Sequence, residues 1–159
     1  MNCDILREIW HEKYISGEDK AREPELAIFN NCSKALKLLD KHINLDSRIC
    51  LHTDVDVDGI GTTYILKRVL EKYGSLKHLL LINKDKVHGI QKKHADYFNN
   101  SNSIDFIIIT DSSSNEIDTI RSFNCDVLCI DHHDFLKDTD SMSGKCNDGI
   151  HEYVIVNST

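Results

Sequence analysis

Five short apolar runs, separated by helix-like stretches, leave this chain very few folds to choose from. They are RICLH (48–52), HLLLIN (78–83), DFIIIT (105–110), DVLCI (126–130) and HEYVIV (151–156). Each is almost continuously apolar or β-branched, the texture of a strand covered on both faces rather than one alternating between core and water. Helical texture lies between them, over 60–72, in IQKKHADYF (90–98) and in NEIDTIRSF (115–123). Strand and helix in alternation predict an α/β domain: an open, mostly parallel sheet of about five strands, with right-handed crossovers and helices on both faces.

A chain of 159 residues suits one such domain. Residues 46–159 would carry the sheet, and 1–45 a helical lead-in. There Ile5, Leu6, Ile9 and Trp10 recur at helical spacing, with Trp10 a core residue. After GEDKAREP the spacing resumes at Leu26, Ile28, Cys32, Leu36, Leu39 and Ile43, where Pro24 suits the first turn. The polar stretch KDTDSMSGKCNDG (137–149) reads as a loop.

The first strand runs into HTDVDVDGIG (52–61), three aspartates at alternate positions behind a histidine. Carboxylates this close oppose one another's ionisation unless a cation neutralises them. Asp54, Asp56, Asp58 and Gly59 fit the opening of a calcium loop, but its twelfth position, which needs a bidentate glutamate, is Ile65. The plain alternative is a solvated turn in which Asp58 caps the next helix.

Two later strands end in the same chemistry. After DFIIIT comes Asp111 in TDSSSNE, and after DVLCI come Asp131, His132 and His133. Loops leaving the carboxyl ends of parallel strands share one edge, where ligands bind if the strand order reverses. Groups spread over about eighty residues would thus meet in one cleft. Carboxylate oxygens with imidazole nitrogens are ligands for manganese, magnesium or zinc. Two such ions, roughly 3.5–4 Å apart, clamp a phosphoryl group and acidify a water, the requirement of phosphoester hydrolysis.

HTDVDVDG, TDSSS and IDHHDF, in that order and each after an apolar strand, resemble the first three motifs of the DHH phosphoesterases, and the doubled acidic DVDVDG is most similar to the RecJ branch. The resemblance spans about residues 48–157, including YVIVNS, which resembles a RecJ-like strand ending in Asn. It implies a Rossmann-like DHH domain holding two manganese or magnesium ions. Asp56 and Asp58 would then be metal ligands, Asp111 would bridge the ions, and His132 would ligate one of them. His133 would face the substrate phosphate, with Asp131 orienting the histidine pair. His52 and Asp54 stand where the family can place groups on or just behind the metals, and HGI (88–90) weakly resembles its Gly-Tyr-Gly turn.

The implied activity is phosphodiester hydrolysis at the ends of single-stranded nucleic acid, with a small-substrate phosphoesterase acting on oligonucleotides, cyclic dinucleotides or pyrophosphate as the alternative. The family also supplies a further metal-binding aspartate well downstream and a C-terminal substrate domain. Asp138, Asp140 and Asp148 lie too near the histidines to replace that aspartate, which implies a partner chain or a partial, non-catalytic domain. Lys84, Lys86 and Lys92, with Lys93 and His88, form the basic stretch best placed to contact substrate phosphates. A formal charge of -7 argues against broad attraction to polyanions, although bound cations would cancel part of it.

Ser113 and Glu116 have capping-box spacing and read as structural rather than nucleophilic. Six cysteines show no CxxC pair, and no apolar stretch opens the chain or is long enough to cross a bilayer. Reduced thiols in a cytoplasm are the expectation, with Cys50, Cys125 and Cys129 packed as small hydrophobes.

Overall fold

The computed structural model describes residues 31–73, 78–82 and 87–157. In chain order the elements are α1 (Cys32–Asn44), β1 (Ile49–Thr53), α2 (Val57–Lys72), β2 (His78–Ile82), α3 (Lys92–Ser101), β3 (Phe106–Thr110), α4 (Ile117–Arg121), β4 (Asp126–Asp131), a 3-10 turn (Thr139–Met142), β5 (Ser143–Lys145) and β6 (Glu152–Asn157). The Ile5–Trp10 helix and Pro24 lie outside the described residues.

All five expected strands form and are mutually parallel, in the order β2-β1-β3-β4-β6. The sheet gains a sixth member, β5, antiparallel to β6 at the edge, with Ser143 opposite Val154 and Lys145 opposite Glu152. This strand falls inside the segment expected to be a loop. Three residues carry no periodicity, and flanking Met142 and Cys146, both buried, anchor it instead. Tyr153 Oη fastens the same segment by donating to the Ser141 carbonyl at 3.0 Å.

Helices cover both faces, and residue parity along the strands decides which side chain meets which helix. Ile49, Leu51, Phe106, Ile108 and Leu128 pack with Leu38 and Leu39 of α1 and Leu70 of α2. Cys50, Ile107, Ile109, Val127 and Cys129 pack with Ala95 and Phe98 of α3 and Ile117 and Ile120 of α4. Ile107, Ile108 and Ile109 are wholly buried, each contributing about 1.5–3 kcal/mol of apolar transfer.

From β1 the chain crosses by α2 to β2 on one side, whereas β3 joins β1 on the other. The order therefore reverses between β1 and β3, and a crevice opens beyond their carboxyl ends. α2 begins at Val57, three residues before the expected Ile60, because Asp56 rather than Asp58 is its N-cap and accepts the Gly59 N–H at 3.0 Å. α4 is shorter than its helical pattern, and the Ser113–Glu116 capping box does not form. Ser113 Oγ instead accepts the Ile90 N–H at 2.7 Å.

Candidate metal centre

Three loops deliver the acidic and imidazole groups to one edge of the sheet. One oxygen from each of Asp56, Asp58 and Asp111 lies within 4.8 Å of the others, and the same holds for ligand atoms of Asp111, His132 and His133. Asp111 belongs to both groups. His132 Nε2 lies 3.0 Å from Asp111 Oδ1 and 4.0 Å from Asp58 Oδ2, which joins the two groups into one continuous site.

The β1–α2 loop has little slack. A Cβ on Gly59 would stand 2.9 Å from Asp54 Cβ and 3.1 Å from its backbone nitrogen, so only glycine lets the helix start this close to the strand end. After β3, Asp111 takes a left-handed backbone (φ 63°). Such residues cost on the order of 1–3 kcal/mol and gather at functional sites. Its N–H donates to the Ile130 carbonyl at 2.8 Å, locking the ends of β3 and β4 together.

Asp131 organises the third loop through both oxygens. Oδ1 accepts the N–H groups of His132 (2.7 Å) and His133 (3.2 Å) and lies 2.7 Å from His133 Nδ1. Oδ2 accepts the Ser114 N–H at 2.9 Å. Burial by itself would raise the pKa of Asp131, but the bonds from His133 and Ser114 outweigh it and hold the carboxyl below its usual range. The bond to Asp131 pushes His133 upward, against some desolvation and with help from the negative charge of Asp131, Asp111 and Asp54. Asn157, wholly buried at the end of β6, donates to the His133 carbonyl at 2.9 Å.

Asp111 is under the opposite pressure. Burial and then the negative charges of Asp58 and Asp56 raise its pKa, with His132 offsetting part. Among the described residues its buried Oδ2 has no hydrogen-bond partner. Asp56, which accepts from Gly59, stays below the usual carboxylate range. A buried, unpaired carboxylate oxygen amid like charges suits a cation, and carboxylates with imidazoles are the donor set of manganese, magnesium or zinc.

The remaining expected residues divide. Asp54 is buried behind the site, with Oδ1 accepting the Val55 N–H at 2.6 Å and Oδ2 lying 3.0 Å from His88 Nδ1. His88 is exposed and pushed upward by that bond and the Asp54 charge. His52 falls outside both groups, because parity turns it towards α3, where its ring lies 5.7 Å from that of His94. Lys92 is exposed on α3, 4.0 Å from Asp96. Lys84 and Lys86 lie outside the described residues. Asp138 caps the 3-10 turn, and Asp148 pairs with His151, so neither joins the site.

Sequence reasoning missed the supporting roles of Ser113 and Ser114, the grip of His88 on Asp54 and the work of Asn157. The run of three serines after β3 is the one local signal for the first pair. Gly89 shows why His88 arrives where it does: it adopts φ 75°, and a Cβ there would meet Ser113 Oγ at 2.8 Å.

A family model described as "DHH family, N-terminal domain" matches residues 48–148. The chain belongs to the DHH family. It is 28% identical over 109 residues to "Putative SPbeta prophage-derived single-strand DNA-specific exonuclease YorK" of Bacillus subtilis (strain 168), an alignment that takes in 66% of this chain and 18% of that protein. The version from Bacillus phage SPbeta matches to the same extent. This DHH chain therefore spans about a fifth of the length of these curated relatives. Its fold is that of RecJ from Thermus thermophilus, solved with Mn2+, at TM-score 0.57 and 21% identity over 82% of this chain and 18% of that one. A second RecJ structure, bound to manganese, aligns at TM-score 0.55 and 21% identity over 76% of this chain and 30% of the other. Among the described residues no helix is long and apolar enough to cross a membrane.

Proposed function

We propose that this DHH domain hydrolyses phosphodiester bonds at the ends of single-stranded nucleic acid, using two divalent ions, manganese or magnesium. The observation that carries this reading is the double membership of Asp111 in a carboxylate group and a carboxylate–imidazole group. Asp56, Asp58 and Asp111 would hold one ion, and Asp111 with His132 the other. Such a pair supplies Lewis acidity and an activated water at neutral pH. The names of the curated relatives, single-strand DNA-specific exonucleases, support the substrate class.

The chain's own residues do the positioning. Asp131 holds His133 through Nδ1, which would fix the orientation of the ring beside Asp111 and His132 for contact with the substrate. His88 and His133, both pushed towards the protonated form by carboxylates, would present positive charge to a substrate phosphate. Asp54, buried and bonded to His88, acts as a positioning group behind the ligands.

A manganese-supplemented assay on a 5′-phosphorylated single strand and on a dinucleotide, with Asp111→Ala as control, tests the reading. Cleavage of the strand that disappears in the variant supports it. Cleavage of the dinucleotide alone would favour the small-substrate phosphoesterase, and turnover unchanged by Asp111→Ala would remove the bridging role.

A further inference from the structure

The solvent face of α2 changes character along its length. Val57, Ile60 and Tyr64 follow one another at helical spacing and are 88%, 52% and 61% exposed, with Ile65 beside them at 64%. One turn further on the same face is charged: Arg68 pairs with Glu71 at 2.9 Å and Lys67 with Glu71 at 3.5 Å. Apolar exposure is thus confined to the N-terminal part of the helix, from Val57 to Ile65, the end that carries Asp56 and Asp58. A contiguous apolar strip kept in water marks a place of contact.

Its position says what touches it. Val57 stands in the chain between two aspartates of the candidate metal centre, so the strip begins at the edge of that site. Tyr64 lies six positions beyond Asp58 on the helix, roughly 9 Å of rise, within the reach of a short stretch of extended strand. Beyond Asp58 the outer face carries no acidic group until Glu71, so nothing there repels a phosphate chain. Pyrophosphate has no apolar surface to offer this strip; a nucleobase has a π face that stacks on an aromatic ring and packs on aliphatic groups.

We infer that Val57, Ile60 and Tyr64 form a platform for the bases of a single strand whose end reaches the metal centre. The inference rests on the nuclease reading and sharpens it, since it commits the site to substrates that carry bases. Tyr64 supplies the stacking surface; Val57 and Ile60 extend it towards the carboxylates. Contacts of this kind tolerate any base, because every base has such a face.

The test compares binding of two fluorescent, phosphorothioate-linked oligomers of equal length, one of thymidines and one wholly abasic. Anisotropy is read for wild type, Tyr64→Ala and Tyr64→Phe, all of which should fold alike because the side chain is exposed. Tyr64→Ala should weaken thymidine-oligomer binding about fivefold or more, Tyr64→Phe should restore it, and the abasic oligomer should bind all three equally. Equal effects on both oligomers, or none on either, would overturn the platform while leaving the nuclease reading to its own assay. Wild type that cleaves strands yet binds both oligomers alike would overturn it as well. So would a wild-type dimer in sedimentation that Ile60→Asp dissociates, because a second copy would then own the face.

Discussion

The two ends of the sheet handle charge in opposite ways. Where the strands begin, Asp126 is buried and fully served. Lys41 Nζ donates to its Oδ2 at 2.6 Å, His42 Nε2 lies 2.8 Å from the same oxygen, and the Glu152 N–H donates to Oδ1 at 2.8 Å. His42 in turn lies 2.9 Å from Ser47 Oγ and stacks on Phe106 at 4.2 Å. Desolvation opposes the Asp126 charge, yet these bonds hold its pKa well below the ordinary carboxylate range. Where the strands finish, Asp111 is crowded by Asp56 and Asp58, keeps an oxygen with no hydrogen-bond partner among the described residues and sits on a left-handed backbone. One end is arranged for folding alone. The other keeps a conflict that folding does not resolve, which is where local rules fail in favour of function.

The sharpest way to break this contrast is Asp111→Asn. Hydrolysis of the single strand should fall roughly 10³-fold, the several kcal/mol expected of a lost metal clamp, while the circular dichroism spectrum stays that of the wild type. Asp126→Ala should do the reverse, costing about 3–5 kcal/mol in urea unfolding because Lys41 and His42 lose their buried partner, with activity per folded molecule unchanged. That cost should shrink in acid. The folded-state pKa of Asp126 is depressed, so its contribution is complete above the unfolded value of about 4 and is lost as pH falls below it.

Gly59→Ala comes next, with a loss of about 1–3 kcal/mol from overpacking against Asp54 and reduced activity at saturating manganese. The smallest effect is the most diagnostic. In chelator, Asp111→Asn should stabilise the protein at pH 7 by on the order of 1 kcal/mol, since it removes a like charge. Asp111 has a raised folded pKa, so its destabilisation grows as pH climbs through the carboxylate range, and the gain from the substitution should vanish towards pH 3. A loss of stability at neutral pH would place Asp111 with Asp126 rather than against it.

How legible each end is in the sequence follows the same division. Ile107, Ile108 and Ile109 spell a strand covered on both sides, and the apolar runs with their following acids point to the fold and to the edge where the side chains gather. Asp56, Asp58, Asp111 and His132, expected as ligands, all fall within the two groups at that edge. His133, expected to face substrate, also lies within reach of an ion. His52 lies outside the two groups because a strand's two-residue alternation turns it away from a loop only two residues on. β5 was hidden since three residues have no period, and the network around Asp126 because Lys41 and His42 are more than eighty residues from it in sequence and none of the three belongs to a motif. Buried thiols were readable from their neighbours: desolvation pushes Cys50 up to about 12 and Cys129 well above its ordinary value.

Asp111 draws one further consequence from the way its companions are recruited. Its neighbours in the candidate site come from stretches more than fifty residues upstream and some twenty downstream, so no unfolded segment can reproduce the proposed cage. Occupancy and folding are therefore thermodynamically linked: at a hundred times the dissociation constant, an ion adds about 2.7 kcal/mol to the unfolding free energy. On the proposed metal-dependent reading, resistance to heat and to proteases should rise with manganese concentration, and the cation would then tether the fold as well as serve the reaction.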